Sequence, residues 1–485
     1  MIYNSEKEKN MKKTLIYSFL ATVLLLTGCS EFLTEEPIMQ QSSELSLSDF
    51  DGVNNATFGA YAPLASVNWY GASFVLDAEM RSGNGYRDTD KNSGRYTTPY
   101  DFNYTSTATP ALWGNAYFVI SAANNVLENL EGKAGSNGVT QQDVDNLKAE
   151  CLFLRSLAHF DLVRTYAKQY SVDKAAPGVP YVFKTDAAAK PARDAVEKVY
   201  EYLIDDLTTA EEIIDPSYTR SGVANAASVA SLPAIQALLA RVYLYMEDYQ
   251  KAANFATLVI NNSDYSLWEK EEYAAAFKED IREGGEVIFE VYGLKSNTYD
   301  GFWDAATWLT NPDGYSDCAT SNDLISLYDN GDVRGTMFVN SPSKAPDTFW
   351  TTKYAGKDKG TPDVSNTIVL RLSEMYLIRA EAIVKGATVT GVTALADLNT
   401  LRAKRGAAAL ASAGVADVML ERRLELAWEG HLWYDLARTK GSITRVHYTG
   451  SEVNRNIPSD SKYWVLPINK RELDVNPNLV SNGYN

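Results

Sequence analysis

Glu421, Arg422, Glu425 and Glu429 lie three or four residues apart on one helical pattern, and Arg438 follows near its end. Paired carboxylates can serve a glycosidase as acid and base. That chemistry needs the two groups to face each other across a cleft with separated pKa values. Interleaved with arginine on one helix, the same residues make intrahelical or tertiary ion pairs. The chain has 62 Asp and Glu, so carboxylates at helical spacing arise by chance, and the ion-pair reading is adopted. His431 sits among Trp428, Trp433 and Tyr434 and reads as a hydrogen-bonded core histidine rather than a base. His159, His431 and His447 make no HExxH or other metal spacing, and neither a phosphate-binding glycine loop nor a Gly-x-Ser-x-Gly elbow is present. Asp88-Thr-Asp90-Lys-Asn92-Ser93-Gly94 imitates the start of a calcium loop, with alternating oxygen ligands for a hard cation. It has Ser93 where the loop wants glycine and Pro99 where it wants a bidentate glutamate, so it reads as a polar turn. No cofactor is expected, with calcium at this turn as the exception to test.

The remaining chemistry is aromatic. The chain carries 30 Tyr, 16 Phe and 9 Trp. A sugar offers a face of C–H groups and a rim of hydroxyls, which suits flat aromatic platforms flanked by Asp, Asn and Arg. Two stretches have that mix. One runs from Asn68 through Trp69, Tyr70, Asp77 and Arg81 to Asn84 and Tyr86. The other runs from Tyr299 through Trp303, Trp308, Asn311 and Asp313 to Tyr315. The candidate ligand-binding residues are Trp303, Trp308, Tyr315, Trp69, Tyr70, Asp77 and Arg81; the competing reading is that these aromatics pack an irregular part of the fold.

The N-terminal stretch addresses the chain. Lys12 and Lys13 precede an apolar run from Leu15 to Leu26, followed by Thr27, Gly28 and Cys29. The run is shorter than the roughly 20 apolar residues of a membrane-spanning helix and suits the core of a secretory signal. Glu6 and Glu8 weaken the positive region of the preceding decapeptide, which points to Met11 as the start of the signal. Leu26-Thr27-Gly28-Cys29 resembles a bacterial lipobox, which implies cleavage before Cys29 and acylation there. The acyl chains, at about 0.8 kcal/mol per buried methylene, give a stable membrane anchor. The formal net charge is −17, and residues 1–28 carry four lysines and two glutamates, leaving about −19 from Cys29 onward. So acidic a surface disfavours nucleic acid, and anionic lipid would repel it. Beyond Cys29, Cys151 and Cys318 are too few for a disulfide framework, and Cys151, on an apolar helix face, reads as buried.

The elements that must position these residues are mostly helical. Val196, Tyr200, Leu203, Leu207, Ala210 and Ile214 step by three and four, behind a possible Asp194/Glu197 capping pair. Val144, Leu147, Cys151, Leu154 and Ala158 do the same, as do Ile120, Ala123, Leu127 and Leu130. Strand-like alternation is scarce, with residues 286–292 the best candidate. Two segments read as helix pairs of the tetratricopeptide kind. Residues 237–260 place Ala240, Tyr243, Ala252 and Ala256 where that repeat needs small residues and one aromatic. Residues 376–402 place Ala382, Ala394 and Leu398 at the same offsets without the aromatic. No linker or low-complexity tract cuts the chain, so residues 29–485 are expected to form one domain after a signal peptide over 1–28, with an N-terminal part over about 29–230 and a C-terminal part over about 231–485.

Residues 369–382, 421–439 and 463–479 resemble the SusD/RagB family of outer-membrane nutrient-uptake lipoproteins. So do the start at Cys29-Ser-Glu-Phe-Leu with Pro37, the helix from Phe50 to Tyr61, and Arg155–Tyr166 followed by Pro177-Gly-Val-Pro180. Leu432, Asn469 and Ser481-Asn482-Gly483 depart from the family's motifs at positions that read as structural. The resemblance implies a mainly α fold, a tetratricopeptide-like helical superhelix supporting an irregular, loop-rich ligand-binding half. It further implies a lipid-anchored protein at the outer-membrane surface that binds an oligosaccharide or polysaccharide and caps a SusC-like TonB-dependent transporter, breaking no bond. A peptide ligand is the alternative within the same fold. A lipid-anchored glycoside hydrolase is the alternative outside it.

Overall fold

The computed structural model describes residues 43–223, 225–280, 284–293, 305–356 and 365–484. Cys29 and Trp303, with the whole of the second aromatic stretch before Ala305, lie outside the described residues. The first half is built from α1 (Phe50–Tyr61), α2 (Ser73–Ser82), α3 (Leu112–Glu128), α4 (Gln141–Tyr166) and α5 (Val196–Ile213). The second half is built from α6 (Leu232–Tyr245), α7 (Tyr249–Ile260), α8 (Leu372–Val384), α9 (Ala394–Arg405), α10 (Val415–Glu425) and α11 (Leu432–Arg438). The mainly helical, tetratricopeptide-like architecture is as the sequence implied.

Helix α4 is the central rod. Thr140 and Asp143 close a capping box at its start, which satisfies backbone N–H groups that have no intrahelical acceptor. From Cys151 to Tyr166 every residue is buried, so its polar side chains need internal partners. Glu150 accepts from Tyr61 Oη (2.7 Å), Tyr218 Oη (2.7 Å) and Arg220 Nη1 (2.6 Å). Arg155 forks onto both carboxylate oxygens of Asp206 at 2.7 Å. His159 Nε2 accepts from the Val182 N–H at 3.1 Å, which leaves Nδ1 to donate to Arg155 O at 2.8 Å. Burial holds this neutral imidazole down to about 3.

The expected helix pairs are α6/α7 and α8/α9. Ala240, Ala252 and Ala256 are fully buried, and Tyr243 stacks on Phe255 with ring centres 5.6 Å apart. Ala382, Ala394 and Leu398 are buried in the second pair, and α7 packs on α8 to stack the two pairs. One local expectation fails. Helix α5 starts behind Ala195 with no side-chain cap, because the Asp194 carboxylate instead accepts from the Tyr181 N–H at 2.8 Å and its carbonyl from the Gly178 N–H at 2.6 Å. Asp194 fastens the proline-rich turn rather than the helix.

The strands among the described residues are β1 (Gly85–Tyr86), β2 (Val287–Val291), β3 (Ala319–Thr320), β4 (Phe338–Ser341), β5 (Ala345–Thr351), β6 (Thr367–Arg371) and the short pair β7 (Ile443–Thr444) and β8 (Asn456–Ile457). Strand β2, the expected one, pairs antiparallel with β6. The four-stranded sheet β1-β3-β5-β4 was not expected. Its strands of two to seven residues are too short to show alternation.

The carboxylates of α10 and the turn after it do form ion pairs, and these are tertiary. Glu425 meets Arg371 Nη1 at 2.6 Å, Arg405 Nη2 at 2.9 Å and Arg334 Nη1 at 3.1 Å. Glu421 meets Arg334 and Arg402, each at 2.6 Å. Glu429 meets Lys353 at 2.6 Å and Arg371 at 2.8 Å. Glu286, entering β2, pairs with Arg371 and Arg405, and Glu381 and Asp435 hold Arg438 and Arg422. His431 is buried as expected, but its Nδ1 lies 4.0 Å from Glu374, too far for the expected hydrogen bond. Burial and the nearby Arg241 and Arg422 hold it neutral.

Burial alone would raise the Glu425 carboxyl, but Arg405, Arg371 and Arg334 hold it well below the usual carboxylate range. Glu429 and Asp435 are lowered in the same way, by Arg371 with Lys353 and by Arg422 with Arg438. A depressed folded-state pKa contributes stability that is present above the unfolded value, near 4 for carboxylates, and is lost as pH falls through the folded value. Melting temperature is therefore expected to hold from neutral pH down to about 5 and fall steeply below about 4. Glu425→Gln, which leaves three arginines short of one counter-charge, is expected to cost about 3–5 kcal/mol in urea unfolding. A midpoint of acid loss near pH 6, or a neutral Glu425→Gln, would contradict this account.

Candidate functional site

The two aromatic stretches meet in space. The Ala306 N–H donates to Gly71 O at 3.0 Å, and the Ser321 N–H to Asn84 O at 2.7 Å. Gly85 of β1 pairs with Thr320 of β3, and Thr320 with Phe349 of β5. The small sheet therefore fastens the early segment to the mid-chain one.

Within this junction the candidate residues separate into two groups. Trp69 and Tyr70 are buried, stacked at 5.5 Å, and both donate to Asp161 Oδ2 on α4, at 2.8 and 2.7 Å. They anchor the early segment to the central helix, and a ring enclosed this way has no face for a ligand. Arg81 is also buried, donating to Tyr104 Oη at 3.0 Å with its guanidinium over the Trp433 ring. For Trp69, Tyr70 and Arg81 the binding expectation is corrected: they are core. Asp77, one turn before Arg81 on α2, keeps partial exposure and has no hydrogen bond among the described residues. Burial pushes its carboxyl up to about 6, against the pull of Arg81.

Trp308 and Tyr315 remain partly exposed, with ring centres 6.3 Å apart and planes inclined at 53°. A tight turn sets this arrangement. The Tyr315 and Ser316 N–H groups both donate to Trp308 O, at 2.9 and 3.3 Å, and Asn311 Oδ1 accepts from the Asp313 N–H. Gly314 is required for the close approach: a Cβ there would lie 2.4 Å from Trp308 O and 2.8 Å from its ring. The Arg95 guanidinium sits 4.0 Å from the centre of the Tyr315 ring, within cation–π range, and donates to Ser93 Oγ at 2.8 Å. Ser93 in turn donates from its N–H and Oγ to Asp317, at 2.6 and 2.8 Å. Around the two rings stand the exposed Asp313 and Lys344, paired at 3.0 Å.

Arg95 and Asp317 were not expected from the sequence, and Ser93 was read only as part of a polar turn. The signal was the polar turn 88–94 itself, whose role only a partner 224 residues away reveals. The turn's oxygens serve its own backbone: Asp88 Oδ1 accepts from the Asp90 and Lys91 N–H groups, and Asn92 Oδ1 from Gly94. Asp88 Oδ2 accepts from Thr348 Oγ1. Among the described residues no group of three or more His, Cys, Asp or Glu gathers to hold a metal ion.

Residues 31–244 match the family model described as starch-binding and associating with the outer membrane, and residues 270–484 match the SusD family model. A solved SusD superfamily protein of Bacteroides vulgatus is 30% identical, with a TM-score of 0.80 over 90% of this chain and 99% of that one. The chain belongs to the SusD family. SusD-like protein P2 of Formosa agariphila is 25% identical over 97% of this chain and 99% of its own length. The surface glycan-binding protein A of Bacteroides thetaiotaomicron shares the SusD fold at 20% identity, with a TM-score of 0.73 over 90% of this chain and all of that one. The match to this SusD frame spans both halves, so the β1–β3–β5 junction is carried on a scaffold common to these proteins.

The division into core and surface rings has a direct check. Trp69→Ala is expected to cost about 3–5 kcal/mol, as for a buried tryptophan. Tyr315→Ala is expected to cost less than about 1.5 kcal/mol, the loss of a partly exposed ring and one cation–π contact. Urea unfolding of the two variants reads the difference, and equal losses would contradict the assignment.

Proposed function

We propose that this SusD family protein is a lipid-anchored, cell-surface binding protein that captures a glycan on the Trp308–Tyr315 face and passes it to a SusC-like TonB-dependent transporter. The observation that carries the reading is the geometry of those two rings. They stay partly exposed while Trp69, Tyr70 and Arg81 turn inward, and a turn that only glycine can close holds them in place. Inclined rings 6.3 Å apart present two platforms to the C–H faces of adjacent sugar units. Asp313, Lys344, Ser93 and Asn311 stand at their rim to meet hydroxyls. Because the turn fixes both rings beforehand, little ordering cost is left for the moment of binding. Trp303, outside the described residues, is proposed as a further platform of the same face.

In this reading no bond is broken: the work is capture and release. Delivery needs a partner. Among the described residues no helix is long and apolar enough to cross a membrane. The described strands, at seven residues or fewer, fall short of the roughly 9–11 that a transmembrane strand needs. The lipobox at Cys29 supplies the proposed anchor, and the match of residues 31–244 to a family associating with the outer membrane supports that address.

Calorimetric titration against a panel of oligosaccharides, beside thermal melting, tests the site. Trp308→Ala and Tyr315→Ala are each expected to weaken binding about tenfold or more, on the order of 1 kcal/mol per platform beyond buried area, with the fold intact. Unchanged affinity in the folded variants would refute the platform, and a peptide bound in place of every glycan would select the alternative ligand. For the anchor, Cys29→Ala is expected to abolish labelling by a fatty-acid analogue and to remove the protein from the outer-membrane fraction and from co-purification with a TonB-dependent barrel. Labelling that persists in the variant would sink the anchor.

A further inference from the structure

A second recess lies on another part of the surface, where the end of α4 meets the chain's last segment. It encloses about 550 Å³ and is lined in part by Lys168, Gln169, Arg193, Lys462, Ser481 and Asn482. That volume falls within the usual range for small-ligand clefts, about 300–1,000 Å³.

Its charge runs against the rest of the molecule. The chain as a whole carries −17, yet among the described residues three cations line this recess and Asp460 is its one acid. Arg193 donates to Gly178 O, Val480 O, Tyr166 O, Pro177 O and Asn482 Oδ1. All its partners are neutral oxygens, so the hydrogen bonds are satisfied and the positive charge is not. Burial without a carboxylate draws its guanidinium down to about 10. Lys462 has no ion pair among the described residues; its ammonium rests over Tyr463 and Tyr484. Lys168 is shared with Asp173 in an exposed pair at 3.0 Å, the kind worth little in water.

A second observation comes from the lining itself. Gln169 is 3% exposed, and its Oε1 has no hydrogen-bond partner. The amide's orientation follows from its other end, since Nε2 donates to Arg164 O at 2.9 Å, which leaves Oε1 as the unpartnered end of a side chain that lines the recess. An unmatched buried acceptor of this kind is costly. A bare carboxylate or sulfate ion would bring charge for the cations and no donor for Gln169, and a hydrogen phosphate would bring a single P–OH. A sugar acid brings both, a carboxylate and several hydroxyls.

We propose that this recess is a binding site for an acidic saccharide, with Lys462, Lys168 and the field of Arg193 receiving the carboxylate and Gln169 Oε1 receiving a hydroxyl. The site is separate from the Trp308–Tyr315 face and stands or falls independently of it. Detergent-solubilised lipoprotein is titrated with trigalacturonate and with its methyl ester, which keeps the shape and removes the charge. Trigalacturonate is expected to bind, the ester about tenfold or more weakly. The double variant Lys168→Gln/Lys462→Gln, exposed positions outside the packed core, is expected to lose acid binding by a similar factor at unchanged melting temperature. Tyr315→Ala is expected to leave it intact. Equal affinity for acid and ester, or an unaffected double variant, would overturn the proposal. Loss of acid binding in Tyr315→Ala would also overturn it, by placing the acid on the aromatic face. Sodium sulfate or sodium phosphate binding as tightly as trigalacturonate would overturn the saccharide assignment and reduce the recess to a charge trap. Binding of phosphatidylglycerol vesicles in place of trigalacturonate, abolished in the double variant, would reassign it to a lipid surface.

Discussion

The structure turns on Glu425, a carboxylate with no solvent exposure that faces Arg334, Arg371 and Arg405 at once. Each arginine comes from a different element: the turn before β4, the end of β6 and the end of α9. Burying ions costs several kcal/mol each, and their attraction offsets that cost only when the geometry is close and all donors are met. Here Glu286, Glu421, Glu429 and Asp332 complete the set, so the arginines are shared rather than singly paired. The result is a polar lattice that fixes the second helix pair, strand β6 and the loops before β4 in one register. An apolar cluster of equal volume would bind these elements with less directional demand.

The helical part of the fold is more easily read than the irregular part. Helices α4, α5 and the pairs α6/α7 and α8/α9 announce themselves by spacing, because a helix repeats its contacts every three or four residues. The ion pairs of α10 were legible as ion pairs from their composition. Their partners were not, since Arg334, Arg371 and Arg405 lie 20 to 91 residues from Glu425. Likewise, Asp194 at the start of a helical pattern is a cap by every local rule, and a backbone N–H 13 residues upstream claims its carboxylate instead.

Legibility was poorest where binding is proposed. Trp69 and Trp308 occur in similar company, aromatic, small and acidic residues without period, and nothing in that company says which ring faces inward. The answer lies in Asp161 for Trp69 and in Gly314 for Trp308. A carboxylate on a buried helix demands donors and draws a ring inward, whereas a glycine turn folded beneath a ring leaves another part of it outside. The sequence stretch Asn68–Arg81 therefore supplies the foundation of the junction, and the stretch after Ala305 supplies its surface. Arg95 and Asp317 escape a linear reading because strands of two residues bring their segments together, and no alternation is visible at that length.

Arg193 holds a further consequence, for the order of events during synthesis and export. Its guanidinium joins the last turn of α4, the proline-rich turn and residues 480–482, and the Leu466 N–H closes on Thr165 O. The end of the central helix is thus completed by residues about 300 positions later in the chain. Contacts of such range are slow to form, because loop closure must precede any gain from them. A ribosome that has made only the first half holds a chain whose main rod still lacks its closing partners. For a chain proposed to leave the cell behind a secretory leader, such a delay would keep it pliable enough to thread a translocation pore before it locks.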